Sequence, residues 1–126
     1  MERERTVAIV VPVFRGASTL PALVDEMLPL CRPGGTSGGV RFRVTEVVLV
    51  DDRGPDGSAA VIRALAERHG PVRAVHLARN AGQHGATMAG IAASAAEWVV
   101  TMDEDGMHDP ADVPGLLDAA FAGRSR

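Results

Sequence analysis

The sequence predicts an α/β protein with a Rossmann-like, mostly parallel sheet and flanking helices in the order βαβαβαβα. Three observations predict this class. Valine-rich apolar runs alternate with segments of helical periodicity, as expected for strands buried on both faces of a parallel sheet and joined by helices. The length of 126 residues suits one core. Polar residues also follow each predicted strand. We expect one domain over residues 6–122, between a charged tail at 1–5 and a tail at 123–126.

The first strand is the continuous β-branched run "TVAIVVPVF", Thr6–Phe14. A helix follows, with Ser18 or Thr19 as a capping residue and Pro21 in its first turn. Its helical spacing is carried by Leu20, Leu23, Val24, Met27 and Leu28. The glycine-rich segment 32–39 predicts a flexible connecting loop without chemistry of its own.

Three further pairs of strand and helix complete the predicted order. The helix after the second strand is expected to begin near Asp56 or Ser58. The remaining strands are predicted at Thr45–Val50, Val72–Ala78 and Glu97–Met102, and the last two helices at Gly82–Ala95 and Ala111–Ala122.

Composition and charge exclude several classes of protein. The net charge of −3 argues against nucleic-acid binding, which needs a basic face. Lysine is absent, which excludes a P-loop and a phosphoacceptor receiver domain, because each needs a lysine at its site. The glycine motif of a Rossmann dehydrogenase is missing after the first strand.

The single Cys31 fits a reducing compartment. With no signal peptide or membrane span in the pattern, we expect a cytoplasmic protein whose membrane contact, if any, is peripheral and at the inner face.

Polar side chains gather at the ends of the predicted strands. Ligands of open parallel sheets bind beyond the carboxyl ends of the strands, so these residues should share one rim. Besides the carboxylates, they are Arg15, Arg53, Arg79, Asn80, Gln83, His84 and His108.

The acidic cluster after the fourth strand has two interpretations. It is either a solvated entry to the last helix or a metal site. Asp103 and Asp105 lie two residues apart, so both side chains point the same way from an extended loop while Glu104 points elsewhere. Two carboxylates on one side suit Mg²⁺ or Mn²⁺, which take further ligands from substrate phosphates. Asp109, before Pro110, is expected to be the N-cap of the last helix.

The acidic pair after the second strand is also open to two interpretations. Asp51 and Asp52 either form the turn and cap the next helix, or accept hydrogen bonds from a base or a ribose hydroxyl. Arg79 and the amides of "GQHG" at a helix start have two interpretations as well: they form an anion cradle, or the glycines only allow close helix packing.

Four motifs, in this order and spacing, resemble family 2 glycosyltransferases: "VVPVF", "VLVDDRGPDGS", "LARNAGQHGATMAGIAAS" and "VVTMDEDGMHDP". The resemblance covers nearly the whole chain from Thr6. It is nearest to the subgroup, like dolichyl-phosphate mannose synthase, that moves a sugar from a nucleotide donor to a polyprenyl phosphate. It implies part of a glycosyltransferase A-type fold, namely the half that holds the nucleotide sugar, without the half that binds the acceptor.

The resemblance also implies roles for individual residues. Pro12 and Phe14 would border the nucleobase, Asp51 and Asp52 would bind the base or ribose, and Arg79 would lie near the nucleotide.

On the diphosphate side, Asp103 and Asp105 would form the Asp-x-Asp pair that holds Mg²⁺ or Mn²⁺, with Asp103 beside the nucleotide and Asp105 as the catalytic residue. The sequence departs from the family at two places. Arg15 and Gly16 stand where the family commonly has an acidic residue, and Met107 stands where the subgroup usually has glutamine. Since a thioether is a poor Mg²⁺ ligand, we expect weaker metal binding.

The alternative is a nucleotide-sugar-binding module without turnover, or an inactive fragment that lacks the acceptor half. Because the family continues beyond the last residues of this sequence, the fourth strand is expected to lack a neighbour. An uncovered strand edge favours pairing with another chain, so we also expect self-association or marginal stability.

Overall fold

The computed structural model describes residues 3–104 and 109–124. The strands are β1 (Arg5–Val13), β2 (Gly34–Gly35), β3 (Arg41–Asp51), β4 (Val72–His76) and β5 (Trp98–Thr101). The α-helices are α1 (Leu20–Met27), α2 (Ser58–Arg68), α3 (Gly82–Ala93) and α4 (Val113–Arg124). Short 3-10 helices at Leu28–Cys31 and Pro110–Asp112 follow α1 and precede α4.

The sheet has the predicted parallel core. β3 and β5 pair with β1 on its two sides, β4 pairs with the second half of β3, and all of these pairings are parallel. The chain therefore places β3 and β4 on one side of β1 and then returns to place β5 on the other. The strand order reverses at β1, which is where ligands bind in such sheets.

The sequence predicts a loop over residues 32–39, but the structure places a short strand within this segment. Gly34 and Gly35 form β2, which pairs antiparallel with Phe42 and Arg41. This pairing extends β3 back to Arg41, four residues before the predicted start at Thr45. The extension has a weak sequence signal because β2 consists of two glycines, which strand propensity disfavours.

Helices cover both faces of the sheet, as predicted. On one face, α1, α2 and α4 pack against the odd-numbered side chains of β1 in the main core. On the other face, Ala86 of α3 packs against Val10, Val48 and Val50. Gly90 allows this approach, because a Cβ atom there would lie 2.4 Å from Val10 Cγ1.

The last helix begins as the sequence indicates. Asp109 is the N-cap residue of the 3-10 turn, and its side chain accepts a hydrogen bond from the Ala111 N–H. The prediction that Asp109 caps this helix is confirmed. Among the described residues β5 pairs with β1 alone, so it is an edge strand of the sheet that they form.

Candidate functional site

A cavity of about 440 Å³ opens at the carboxyl ends of the strands, where the strand order reverses. Its size lies within the range of small-molecule sites. Residues from the ends of β1, β3, β4 and β5 meet there, as the sequence predicts for the rim. They are Pro12, Val13, Phe14, Asp52, Asn80, Gly82, Gln83, Asp103 and Glu104.

The end of β1 provides the aromatic wall of the cavity. The Phe14 side chain is 37% exposed, and the Arg15 guanidinium lies 5.3 Å from the centre of its ring, within the range of a cation–π contact. Gly54 packs directly on the backbone beneath this wall, since a Cβ at position 54 would lie 1.5 Å from the Phe14 carbonyl oxygen. Only glycine permits this close approach between the loops after β1 and β3.

Asp52 lies at the floor of the cavity and is 3% exposed. Its Oδ1 accepts a hydrogen bond from the Ala81 N–H at 2.7 Å, and its Oδ2 accepts one from the Asn80 amide at 3.1 Å. The same amide also donates to the Asp52 carbonyl oxygen at 2.9 Å. Asp52 thus lines the cavity and holds the loop after β4 in place.

Asp51 is not one of the residues that line the cavity. It is 4% exposed, its Oδ2 lies 2.9 Å from His76 Nδ1, and its Oδ1 accepts a hydrogen bond from the Arg53 N–H at 2.9 Å. Arg53 has a φ of +62°, a left-handed conformation that is uncommon for a residue with a side chain. The bond from the Arg53 N–H to Asp51 supports this turn, as the turn-forming interpretation expects. Asp52 instead bonds to the loop after β4, and neither aspartate is the N-cap residue of α2, which is Gly57.

Asp103 faces the cavity from the end of β5. Its Oδ1 accepts a hydrogen bond from the Gln83 side-chain amide at 2.7 Å, which connects it to the first turn of α3. Asp105, its predicted partner, and Met107 lie outside the described residues. Within 3–104 and 109–124, no group of three or more His, Cys, Asp or Glu side chains is placed to hold a metal. The carboxylate of Asp103 alone would still suit Mg²⁺ or Mn²⁺, since such ions take one or two carboxylates with phosphate oxygens and water.

Glu104 also lines the cavity, and its carboxylate is directed at the backbone of the loop after β1. Its two carboxylate oxygens accept hydrogen bonds from the N–H groups of Phe14 and Arg15. The Thr19 hydroxyl, expected as a helix cap, makes no cap bond to α1 and donates to the Glu104 carbonyl oxygen at 2.7 Å. These contacts are invisible in the sequence because they join residues 85 to 90 positions apart.

The structure therefore brings together Pro12, Phe14, Asp52 and Asp103 and leaves Arg79 outside the lining of the cavity. Arg79 is exposed on the loop that leads to α3. Asn80 and Gln83 are lining residues that the sequence analysis placed on the rim but did not assign a role. Their position after a predicted strand was the available signal.

Comparisons with known proteins match nearly the whole chain. The sequence model described as Glycosyl transferase family 2 matches residues 8–125. An undecaprenyl-phosphate 4-deoxy-4-formamido-L-arabinose transferase of Pseudomonas paraeruginosa is 40% identical over 118 residues, which are 93% of this chain and 33% of that protein. The transferase of the same name from Pectobacterium carotovorum is 35% identical over 122 residues, 94% of this chain and 35% of that protein. The chain thus spans about a third of the length of these relatives.

Two solved structures share the fold. The mannosyltransferase PcManGT from Pyrobaculum calidifontis, in complex with GDP-Man and Mn²⁺, has a TM-score of 0.65 and 22% identity over 82% of this chain and 28% of that one. S. aureus TarS 1-349 has a TM-score of 0.63 and 20% identity over 92% of this chain and 31% of that one. Both are similar in fold to the sheet and helices described above.

Proposed function

Because the chain belongs to glycosyl transferase family 2, we propose that its cavity binds a nucleotide-diphosphate sugar as the donor for sugar transfer. The observation that carries this proposal is the meeting of an aromatic wall at Phe14, a buried carboxylate at Asp52 and a cavity-facing carboxylate at Asp103. They lie around one cavity at the point where the strand order reverses, where α/β sheets bind nucleotides. A nucleoside diphosphate needs an apolar surface for its base, acceptors for its N–H and hydroxyl groups, and compensation for its phosphate charge.

On the nucleoside side, Pro12 and Phe14 would contact the base, and Asp52 would accept a hydrogen bond from the base or the ribose. Asp51 would act through its neighbours, since its contacts are to His76 and the Arg53 N–H. Arg79, exposed at the loop before α3, is proposed to approach the nucleotide from outside the cavity.

On the diphosphate side, Asp103 and Asp105 would hold Mg²⁺ or Mn²⁺ together with the donor phosphates. When bound, the ion neutralises the nucleoside diphosphate that leaves as the bond to the sugar breaks. Gln83 keeps the Asp103 carboxylate oriented toward the cavity. Asp105, proposed as the catalytic residue, lies outside the described residues.

The acceptor is proposed to be a polyprenyl phosphate. Relatives at 35–40% identity are named as transferases that act on undecaprenyl phosphate. A phosphate oxygen is already anionic, so it can attack the anomeric carbon of the sugar without a strong general base in the protein. Since the acceptor is a membrane lipid, we propose peripheral association with the inner face of the membrane. No helix of the described residues is long and apolar enough to span a bilayer.

Calorimetric titration tests donor binding. UDP, GDP, UDP-GlcNAc and GDP-mannose are each added to the chain with and without Mn²⁺, and the expected result is binding that Mn²⁺ strengthens. Failure of all four ligands to bind in the presence of Mn²⁺ would contradict the proposal.

The alternative function is a nucleotide-sugar-binding module without turnover, because the contacts described above concern the donor alone. An assay of transfer to undecaprenyl phosphate in vesicles separates the two. Transfer supports the enzyme, whereas donor binding without transfer supports the module.

Self-association through β5 is proposed because its outer edge is unpaired among the residues that the structure describes. The Met102 N–H donates to the Val10 carbonyl oxygen, so the N–H of Thr101 points to the opposite, outer side of β5. An outward N–H on an edge strand can pair with a further strand. Analytical ultracentrifugation is expected to find dimers that Thr101→Pro abolishes and Thr101→Ala retains. A wild-type chain that stays monomeric at high concentration would exclude this pairing.

A further inference from the structure

The side chain of Glu104 connects two loops that line the cavity. Its Oε2 accepts a hydrogen bond from the Phe14 N–H at 2.5 Å, and its Oε1 accepts one from the Arg15 N–H at 2.8 Å. Its backbone carbonyl oxygen accepts a third from the Thr19 hydroxyl at 2.7 Å. These bonds connect the loop after β5 to both ends of the loop between β1 and α1.

The middle of the loop between β1 and α1 is held from a different direction. The N–H groups of Gly16 and Ala17 donate to the side chains of Ser58 and Asp56, at 3.0 and 3.3 Å. These two contacts come from the start of α2. Glu104 therefore holds the two ends of this loop, including the part that forms the aromatic wall, and the region around the start of α2 holds its middle.

A carboxylate is well suited to this position. It offers two acceptor oxygens and no donor, whereas a glutamine of the same length offers one acceptor oxygen and an amide group that would face an N–H. Hydrogen bonds from backbone N–H groups to an ionised acceptor are also about twice as strong as neutral ones. Since both oxygens of Glu104 are directed at backbone N–H groups, its role differs from that of the adjacent Asp103, whose Oδ1 accepts a hydrogen bond from the Gln83 side chain.

We propose that Glu104 is a positioning residue that sets the spacing between the Phe14 wall and the Asp103 carboxylate. The inference rests on the proposed function, because it concerns how the same cavity receives a nucleoside diphosphate. The base and the diphosphate of one ligand must be contacted together, so affinity depends on the separation of these two surfaces. Groups held in position before binding give tighter binding because less order is lost on association.

The test compares Glu104→Gln with Glu97→Gln. Glu97 is a matched control because it also joins β1 to the region of β5 and accepts a hydrogen bond from a β1 backbone N–H, that of Thr6 at 3.3 Å. It lies at the opposite ends of these strands, away from the cavity. Binding of UDP and GDP with Mn²⁺ is measured calorimetrically on folded protein, the unfolding free energy by urea, and the amide signals of Phe14 and Arg15 by NMR.

Glu104→Gln is expected to weaken the binding of whichever nucleotide the wild type takes by about tenfold or more, and to shift both amide signals. Glu97→Gln is expected to bind within about twofold of the wild type. If Glu104→Gln does not fold, Thr19→Val, which removes the third bond while keeping the carboxylate, is expected to weaken binding as well.

Two results would overturn the inference while leaving the proposed function intact. The first is wild-type affinity in folded Glu104→Gln or, if Glu104→Gln does not fold, in Thr19→Val. The second is a loss of affinity in Glu97→Gln as large as that in the Glu104 or Thr19 variant. A wild-type chain that binds neither nucleotide would overturn both proposals.

Discussion

The carboxylate of Asp52 joins the end of β3 to the loop before α3, because its Oδ1 accepts a hydrogen bond from the Ala81 backbone N–H at 2.7 Å. Asp52 is buried, so water cannot easily replace this bond. The residue that we propose as a nucleotide ligand is therefore also a structural one.

Asp52→Ala is expected to lower the free energy of unfolding by about 1–3 kcal/mol, because it leaves the Ala81 N–H without its acceptor. It should also abolish nucleotide binding. The control variant is Asp25→Ala, because Asp25 is an exposed carboxylate on α1. It should change the free energy of unfolding by less than about 0.5 kcal/mol. Urea denaturation of both variants measures the difference, and equal stability of the two would contradict the role given to Asp52.

Asp103→Asn is expected to remove the effect of Mn²⁺ on nucleotide affinity while leaving the fold intact. The amide oxygen of asparagine can still accept the hydrogen bond from Gln83, but the negative charge that attracts the ion is lost. Calorimetry with and without Mn²⁺ tests this, with Asp112→Asn as a control that loses the same charge from an exposed position. Retention of the full Mn²⁺ effect in Asp103→Asn would exclude this carboxylate as a ligand.

Gly54→Ala is expected to destabilise the protein by at least about 2 kcal/mol. The added methyl group would lie 1.5 Å from the Phe14 carbonyl oxygen, so the loops after β1 and β3 must separate. Gly57→Ala is the matched control, since nothing lies within 4 Å of a Cβ there. Thermal unfolding compares the two, and a Tm for Gly54→Ala equal to that of the control would show that the loops tolerate separation.

Two helical glycines should respond to alanine in opposite directions. At Gly90, the new Cβ would lie 2.4 Å from Val10 Cγ1 and 2.8 Å from Val50 Cγ2, so Gly90→Ala should lower stability by about 1–3 kcal/mol. At Gly115 in α4 nothing lies within 4 Å. Gly115→Ala should raise stability by about 0.5–1 kcal/mol through helix propensity. Urea midpoints measure both. Unchanged or higher stability of Gly90→Ala would contradict the packing of α3, and lower stability of Gly115→Ala would contradict the open space at that position.

Acid should weaken the contact between Glu97 and Arg3. Hydrogen bonds from the Arg3 guanidinium, at 2.7 and 2.8 Å, are the main cause that lowers the pKa of Glu97 from 4.5 to about 2. Because the pKa of Glu97 is lower in the folded than in the unfolded protein, its ionised carboxylate stabilises the fold at pH values above 4.5. This stabilisation is lost as the pH falls from 4.5 toward 2. Because the pair is exposed, the effect should be small and reduced by salt.

The measurement follows the urea midpoint of the wild type and of Glu97→Gln between pH 6 and 3 at low salt. The gap between the two proteins should narrow as the pH falls. A gap that stays constant over this range would contradict the assigned pair.

Much of the fold could be predicted from the sequence because its signals are local. The valine-rich run in β1 and the leucine spacing in α1 report burial directly, and alternation of such elements leads to a parallel sheet. The grouping of polar residues at strand ends predicted the rim on which Asp52 and Asp103 lie. The two-glycine strand β2 was missed because only its partner β3 makes it a strand.

The class of fold, the edge of the sheet that carries the site and the kinds of side chain found there follow from local patterns in the sequence. What each of the neighbouring carboxylates does follows only from the folded structure. Asp51 and Asp52 differ by one position, yet one contacts His76 and the other lines the cavity, and Glu104 turns to the backbone at Phe14 while Asp103 faces Gln83. These partners differ because they are set by how β1, β3, β4 and β5 pair and by the loops that follow them, which bring together groups up to 90 residues apart.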